Sequence, residues 1–232
     1  MLSKPIPLWI YAGGAALAAL AGSVNAVGFL SVHHQALTHM SGTVTLIGIG
    51  LAHGDRAALQ HALLVLLFFF LGCVVSGLII RQSTLRAGRR YGFALSCEAG
   101  LLFGAGYLFR HHSFAGAYLA TMACGLQNAM ANSYSGAVIR TTHITGIVTD
   151  LGIAVGLAAR RERVDWRRMR LYGILLAGFF TGGALGALGF SRWSHDTILI
   201  PAAGAAIIGV SYTIFKHAER QRQQTPPTRP LP

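Results

Sequence analysis

The stretch HMSGTVTLIG, residues 39–48, returns 104 positions later as HITGIVTDLG, residues 143–152. Each copy begins a short apolar run, residues 39–53 in the first case and residues 144–159 in the second. An α-helix rises 1.5 Å per residue, so these runs would measure about 22 and 24 Å, less than the roughly 30 Å of a bilayer's hydrocarbon core. Each run is therefore predicted as a short spanning helix or as a half-length helix that re-enters the side it came from.

Shorter matches flank this stretch in the same order in both halves. They are GSVNA at 22–26 with GLQNA at 125–129, and FFLG at 69–72 with FFTG at 179–182. Ordered self-similarity indicates a duplicated unit, and chance similarity among apolar helices is the alternative. The predicted units are residues 1–110 and 111–217. The polar, proline-rich residues 218–232 are predicted as a disordered cytoplasmic tail.

The composition is that of a membrane protein. Hydrophobic residues make up 53% of the chain and charged residues 11%, whereas soluble domains carry about a quarter of charged residues. Six runs reach the length of about 20 residues that crosses a bilayer as a helix; they are residues 6–32, 58–80, 91–109, 114–133, 171–190 and 197–215. We therefore predict an all-α, multi-pass protein of a bacterial inner membrane, with the lipid bilayer as its main partner.

The net charge of +12 lies in short loops and tails between the apolar runs, where Lys and Arg are topology signals. We therefore predict no nucleic-acid partner. If both short runs re-enter, only Arg56, Arg110 and Arg192 face outward and the other 16 of 19 basic residues share the side of the termini. Eight spans would divide them 13 to six. The positive-inside rule favours six spanning helices with cytoplasmic N- and C-termini plus two re-entrant half-helices; seven or eight spanning helices are the alternative.

The number of spans also fixes how the two units are related. Three spans per unit place the second copy upside down, an inverted repeat that is typical of transporters. Four spans per unit would give parallel copies instead. The sequence favours the inverted arrangement.

The repeated motif predicts a binding site. Ser41 is a favourable N-cap, and Gly42 allows a ligand or another backbone to approach closely. A half-helix that starts there leaves N–H groups unpaired, and in hydrocarbon these must be satisfied by protein, water or solute. Two such ends near the midplane would attract a small polar or anionic solute; the alternative is that the small residues only pack helices. The predicted binding residues are Asn25, His39, Ser41, Gly42, Thr43, Gln127, Asn128, His143, Thr145 and Gly146.

Asp150 and Glu98 are the acidic residues well inside apolar runs. An ionised carboxylate at the bilayer centre costs about 2.5–3.5 kcal/mol or more, so each is predicted to be protonated, paired or in contact with water. Asp150 follows His143 by seven residues, two turns along the same helix face. Proton coupling is the functional hypothesis for both acids, and a neutral structural carboxyl is the alternative. No basic residue lies inside a predicted span to pair with either.

No enzyme motif accompanies these residues. Phosphate-binding loops, nucleophile elbows and zinc-protease helices are absent from the sequence, and the histidines lack metal-ligand spacing. We predict a small-solute transporter or channel, with proton coupling as one form of it, and neither enzyme activity, cofactor nor metal. The alternatives are a non-transporting assembly or regulatory subunit and a membrane-embedded enzyme that would use His143 with Asp150. A homo-oligomer is compatible with the sequence.

The second half resembles a known family. GLQNA at 125–129, followed by TTHITGIVTDLG at 141–152, is similar to the signature of the YoaK family, bacterial membrane proteins of unknown function. The first half resembles the other family element, but Asn25 stands where that family usually has aspartate and Thr43 where it has asparagine. If the aspartate carries a coupling proton, the first unit has lost it. The resemblance, which runs from about residue 21 to 215, implies a bacterial inner-membrane protein and no particular substrate.

Overall fold

The computed structural model describes residues 8–31, 36–80, 89–135 and 141–224. These residues form eight α-helices and a 3-10 segment: α1 Leu8–Ser31, α2 Met40–His53, α3 Arg56–Ile79, α4 Arg89–Arg110, α5 Ala115–Ser135, α6 Ile144–Ala159, α7 Trp166–Trp193, the 3-10 segment Ser194–Ile198 and α8 Leu199–Gln224. No strand occurs in this part of the chain, so the prediction of an all-α fold is confirmed. Helix α8 includes 218–224, which were predicted as tail, and the rest of that tail lies outside the described residues.

The helices have the length and surface of membrane spans. Four continuous helical stretches are long and apolar enough to cross a bilayer: Leu8–Ser31, Arg56–Ile79, Arg90–Arg110 and Trp166–Ala218. The last, of 53 residues, would measure about 80 Å if straight, but it folds back at the 3-10 segment. Large apolar side chains face outward along the bundle; Leu78, for example, is 77% exposed. Soluble monomers rarely expose so much apolar surface, whereas lipid accommodates it.

The six long helices alternate in direction between two ends of the bundle. At one end, Tyr91 at the start of α4 packs in one cluster with Met130 near the end of α5 and Tyr212 in the second half of α8. At the other end, Phe109 at the end of α4 packs in one cluster with Ala117 of α5 and Ile198 before α8. We call these the Tyr91 end and the Phe109 end. Helix α4 therefore runs from the Tyr91 end to the Phe109 end, and α5 and α8 run back.

The remaining long helices follow the same alternation. In α1, Ile10 packs with Leu171 at the start of α7, and Val27 lies in the cluster of the Phe109 end, so α1 and α7 run parallel to α4. In α3, His61 Nδ1 lies 3.0 Å from the hydroxyl of Tyr118 near the start of α5, so α3 begins at the Phe109 end. Helix α3 is thus antiparallel to α1, although α2 lies between them in the chain.

Helices α2 and α6 are short, and each lies in the chain between two long helices that meet at the same end of the bundle. They hold 14 and 16 residues. Helix α2 ends at the Phe109 end, where Gly54 at φ 70° closes it, a left-handed conformation that glycine adopts without strain. Asp55 then caps α3 by accepting a hydrogen bond from the N–H of Ala58 (3.0 Å). Helix α6 ends at the opposite end, beside the start of α7.

Four glycines bring backbones into contact at two equivalent helix pairs. Between α1 and α7, a Cβ at Gly22 would strike the carbonyl of Phe179, and one at Gly182 would strike that of Ala19. Between α5 and α3, a Cβ at Gly125 would strike the carbonyl of Phe69, and one at Gly72 that of Met122. Exchange of the two chain halves converts the first pair of contacts into the second. The flanking sequence matches thus coincide with the closest helix contacts.

Gly72→Ala is expected to destabilise the protein, because the new Cβ would force α3 away from the backbone of α5. Overpacking of this kind costs about 1–3 kcal/mol and should lower the melting temperature of the detergent-solubilised protein. Gly77→Ala is the matched control on the same helix, since nothing lies within 4 Å of its Cβ, and alanine there should be neutral or slightly stabilising. Equal melting temperatures in the two variants would contradict the close contact.

Candidate functional site

A cavity of about 620 Å³ lies where the N-terminal ends of α2 and α6 meet. It is lined by residues 38–41 and 142–145, at the starts of the short helices α2 and α6, by Phe69 and Cys73 of α3, and by α5 residues that include Asn128 and Asn132. None of these lining residues is acidic, Lys or Arg. The cavity therefore offers amide, hydroxyl and imidazole groups without a fixed side-chain charge.

The short helices α2 and α6 both begin without a side-chain cap. Helix α2 starts after His39 and α6 after His143, and neither histidine side chain accepts a hydrogen bond from its helix. The first backbone bonds run from the N–H of Thr43 to His39 (3.2 Å) and from the N–H of Ile147 to His143 (3.1 Å). The three N–H groups that precede each bond have no acceptor within their helix. Two positive helix ends therefore lie at the cavity.

The prediction that Ser41 caps α2 is wrong. The cap is His39, and Ser41 is the second helical residue. The chain approaches α2 through Thr38, whose side chain is tied to α1, so the helix begins before the serine.

The structure brings five of the ten predicted binding residues to the cavity: His39, Ser41, Asn128, His143 and Thr145. The other five lie outside its lining. Gln127 is buried and donates a hydrogen bond to the carbonyl of Leu17 (3.1 Å), which joins α5 to α1. Thr43 is buried, and its hydroxyl donates a hydrogen bond to the carbonyl of His39 (3.4 Å). A Cβ at Gly42 would meet open space, and one at Gly146 would strike the ring of His143.

The two equivalent asparagines differ in their hydrogen bonds. Asn25 Oδ1 accepts from the backbone N–H of Thr38 (3.2 Å) and from its hydroxyl (2.9 Å). Asn128 Oδ1 is buried and has no hydrogen-bond partner among the described residues. An unsatisfied buried acceptor costs about 1–3 kcal/mol, so a hydrogen-bond donor that reached Asn128 Oδ1 would stabilise this cavity-lining residue.

Some lining residues were missed from sequence, although the repeat contained a signal for them. Thr38 and Thr142 precede the two histidines at the same offset of 104, so one further residue of alignment would have found both. Phe69 belongs to the repeated FFLG match. Asn132 follows Asn128 by one helical turn and thus shares its face.

The two acidic residues lie apart from the cavity lining. Asp150 accepts a hydrogen bond from Arg168 of α7 (3.3 Å), and both side chains are partly exposed. Arg168 lies outside the predicted span, and it reaches Asp150 because α7 begins before that span and carries Arg168 within its first turn. Glu98 is only 3% exposed, and its Oε2 has no hydrogen-bond partner in the described part of the chain.

Histidines gather at the Phe109 end. His195 Nδ1 lies 3.1 Å from the hydroxyl of Ser31, and the rings of His195 and His112 are 6.2 Å apart. In the residues that the structure describes, no group of three His, Cys, Asp or Glu side chains is arranged to hold a metal ion.

The cavity-lining residues all lie within the part of the chain that matches a known protein family. The model of the family described as "Protein of unknown function (DUF1275)" matches residues 13–211. The chain belongs to this family. UPF0700 transmembrane protein YoaK of Bacillus subtilis (strain 168) is 25% identical in an alignment 204 residues long, and the alignment covers 83% of this chain and 88% of that protein. The resemblance to the YoaK family is thus confirmed, and this DUF1275 member is a multi-pass membrane protein. No solved structure matches the chain.

Proposed function

We propose that this DUF1275 protein is a transporter or channel for a small anionic or polar solute, which binds in the cavity between α2 and α6. The observation that carries the proposal is the meeting of two uncapped half-helix N-termini at a polar cavity inside a membrane bundle. In hydrocarbon, irregular backbone is tolerated where it is buried in protein or lines a water-filled path. Paired half-helices at a repeat interface are a common solute site in transporters.

We propose six spanning helices, two re-entrant half-helices and an inverted repeat. The antiparallel packing of α1 with α5 and of α4 with α8 supports it, because four spans per unit would make each of these pairs parallel. The equivalent glycine contacts of α1 with α7 and α5 with α3 support the duplication. By the positive-inside rule, the arginine-rich connection from α6 to α7 supports a cytoplasmic location, at a bacterial inner membrane, for the Tyr91 end and both termini.

If transport is proton-coupled, Glu98 fits the coupling role better than Asp150. Glu98 is enclosed and lacks a partner for Oε2, so its proton affinity depends strongly on its surroundings. Asp150 is partly exposed and paired with Arg168. We propose no catalytic function, because His143 lines the cavity and Asp150 does not.

The proposal is tested by flux assays on the full-length protein in proteoliposomes, with chloride, formate, acetate, glycerol and urea as probes. At least one probe is expected to cross faster than in empty liposomes. Cys73 lines the cavity, so alkylating it with a bulky maleimide should block this flux. The Cys73→Ala variant retains Cys97 and Cys124 and should be insensitive to the reagent. No flux of any probe, or flux that survives alkylation of Cys73, would count against transport through this cavity.

A further inference from the structure

The two halves of the site align in sequence but differ in state. Thr38 aligns with Thr142, and Asn25 with Asn128. In the first half, Thr38 donates two hydrogen bonds to Asn25 Oδ1. In the second half, Asn128 Oδ1 accepts none from the described residues, although both Asn128 and Thr142 line the cavity. We call the hydrogen-bonded Thr38–Asn25 pair closed, and we call the Thr142–Asn128 pair, in which Asn128 Oδ1 accepts no hydrogen bond from the part of the chain that the structure describes, open.

The cavity lies on the side of the open pair. Phe69 and Cys73 of α3 line it, whereas their counterparts Phe179 and Gly183 of α7 do not. On the α7 side the space is filled by the ring of His39, which packs edge-on against Phe179 with the ring centroids 6.3 Å apart. Closure of the Thr38–Asn25 pair therefore coincides with a packed interior, and opening of the second pair coincides with the cavity.

The two pairs lie toward opposite ends of the bundle. Asn25 is in the last two turns of α1, which ends at the Phe109 end, and Asn128 lies about two turns before the last residue of α5, which ends at the Tyr91 end. Thr38 of the closed pair therefore lines the cavity on the side of the Phe109 end. Thr142 and Asn128 of the open pair line it on the side of the Tyr91 end, which is cytoplasmic in the proposed orientation.

We propose that Thr38–Asn25 and Thr142–Asn128 are two gates that close alternately, an inference that rests on the proposed transport function. The structure is the state with its outer gate closed and its inner gate open. In the opposite state Thr142 donates to Asn128, Thr38 releases Asn25, and the cavity opens between α1 and α7 toward the Phe109 end. One Thr–Asn hydrogen-bonded pair breaks while an equivalent pair forms, so the two states can lie close in free energy. A solute can then shift the population from one state to the other.

Cysteine labelling of the full-length protein in sealed vesicles tests this exchange without a known solute. Cys73 reports on the inner side once Cys97 and Cys124 are replaced by alanine. Gly183→Cys, in a chain whose three native cysteines are alanine, reports on the equivalent outer position, where a Cβ meets its nearest atom at 3.7 Å. An impermeant, charged thiol reagent is added from either side, and Arg56→Cys at the start of α3 identifies the side of the Phe109 end.

When Asn25 and Asn128 are both unchanged, Cys73 should react with the reagent added on the side opposite to the one that labels Arg56→Cys. Gly183→Cys should react slowly. Asn25→Leu removes the acceptor of the closed gate, so the ratio of Cys73 to Gly183→Cys labelling should fall by about tenfold, as expected for two neutral hydrogen bonds. Asn128→Leu is the matched variant of the other gate and should raise or maintain the ratio. Unfolding would expose both positions from both sides and so is distinguishable.

Alternate gating is overturned if Asn25→Leu leaves the labelling ratio unchanged, or if the two asparagine variants shift it in the same direction. A protein that passes the flux assay but fails this test transports by another motion. A protein that shows opposite shifts but passes no solute has the gates and lacks the proposed transport, so the two ideas fail separately.

Discussion

Thr145→Asp is expected to abolish anion transport while the protein stays folded. Thr145 is the second residue of α6 and lines the cavity. A carboxylate there would interact favourably with the positive helix end, by about 0.3–1 kcal/mol, and would occupy the position proposed for the solute. A second anion about 4 Å away would be repelled by ~4 kcal/mol at an effective dielectric constant of 20, which corresponds to roughly a thousandfold loss of affinity.

Thr145→Asn is the control for this substitution. Asparagine is close in size to aspartate and is an equally good residue near a helix start, but it carries no charge, so flux should stay within a fewfold of the parent. Both variants are measured by the flux of the permeant probe in proteoliposomes and by the melting temperature in detergent. Unchanged anion flux in Thr145→Asp would refute anion binding at this helix end, and equal loss in both variants would point to shape instead of charge.

The sequence was informative wherever the same physical requirement occurs in both halves. Helix α6 occupies the predicted residues 144–159, and α2 starts one residue after its predicted start, because apolar runs bounded by polar segments have clear limits. Gly22 and Gly125 were matched because each allows a carbonyl of a neighbouring helix to approach more closely than any side chain would permit. A helix contact that occurs in both halves requires the same type of residue at both equivalent positions.

Features that depend on the tertiary path of the chain were not predictable. Arg168 reaches Asp150 because the connection between α6 and α7 folds back on itself, and no local pattern encodes that approach. Ser41 has good capping chemistry, yet the tie between Thr38 and Asn25 fixes where α2 starts. The different states of Asn25 and Asn128 lie beyond sequence reasoning altogether, because equivalent motifs can occupy either of two conformations of similar free energy.

Glu98→Gln is expected to uncouple solute accumulation from a proton gradient while the protein stays folded. Glu98 is buried inside α4 with Oε2 unpartnered in the described residues, and an ionised carboxylate at such depth costs about 2.5–3.5 kcal/mol or more. The carboxyl can therefore hold a proton and release it when its surroundings change. Glutamine has the shape of the protonated acid but carries no exchangeable acidic proton. Accumulation of the permeant probe driven by a pH gradient should fall at least about tenfold, and downhill exchange should persist.

Asp150→Asn is the matched control for this prediction. It also replaces a carboxylate by its amide, but it does so at a partly exposed ion pair with Arg168, which contributes about 0–1 kcal/mol to stability. Gradient-driven accumulation should therefore continue in this variant. If Glu98→Gln accumulates the probe normally, Glu98 is a structural carboxyl. If Asp150→Asn alone loses accumulation, the coupling proton is carried at the Tyr91 end by Asp150, which would take it from the solution and release Arg168.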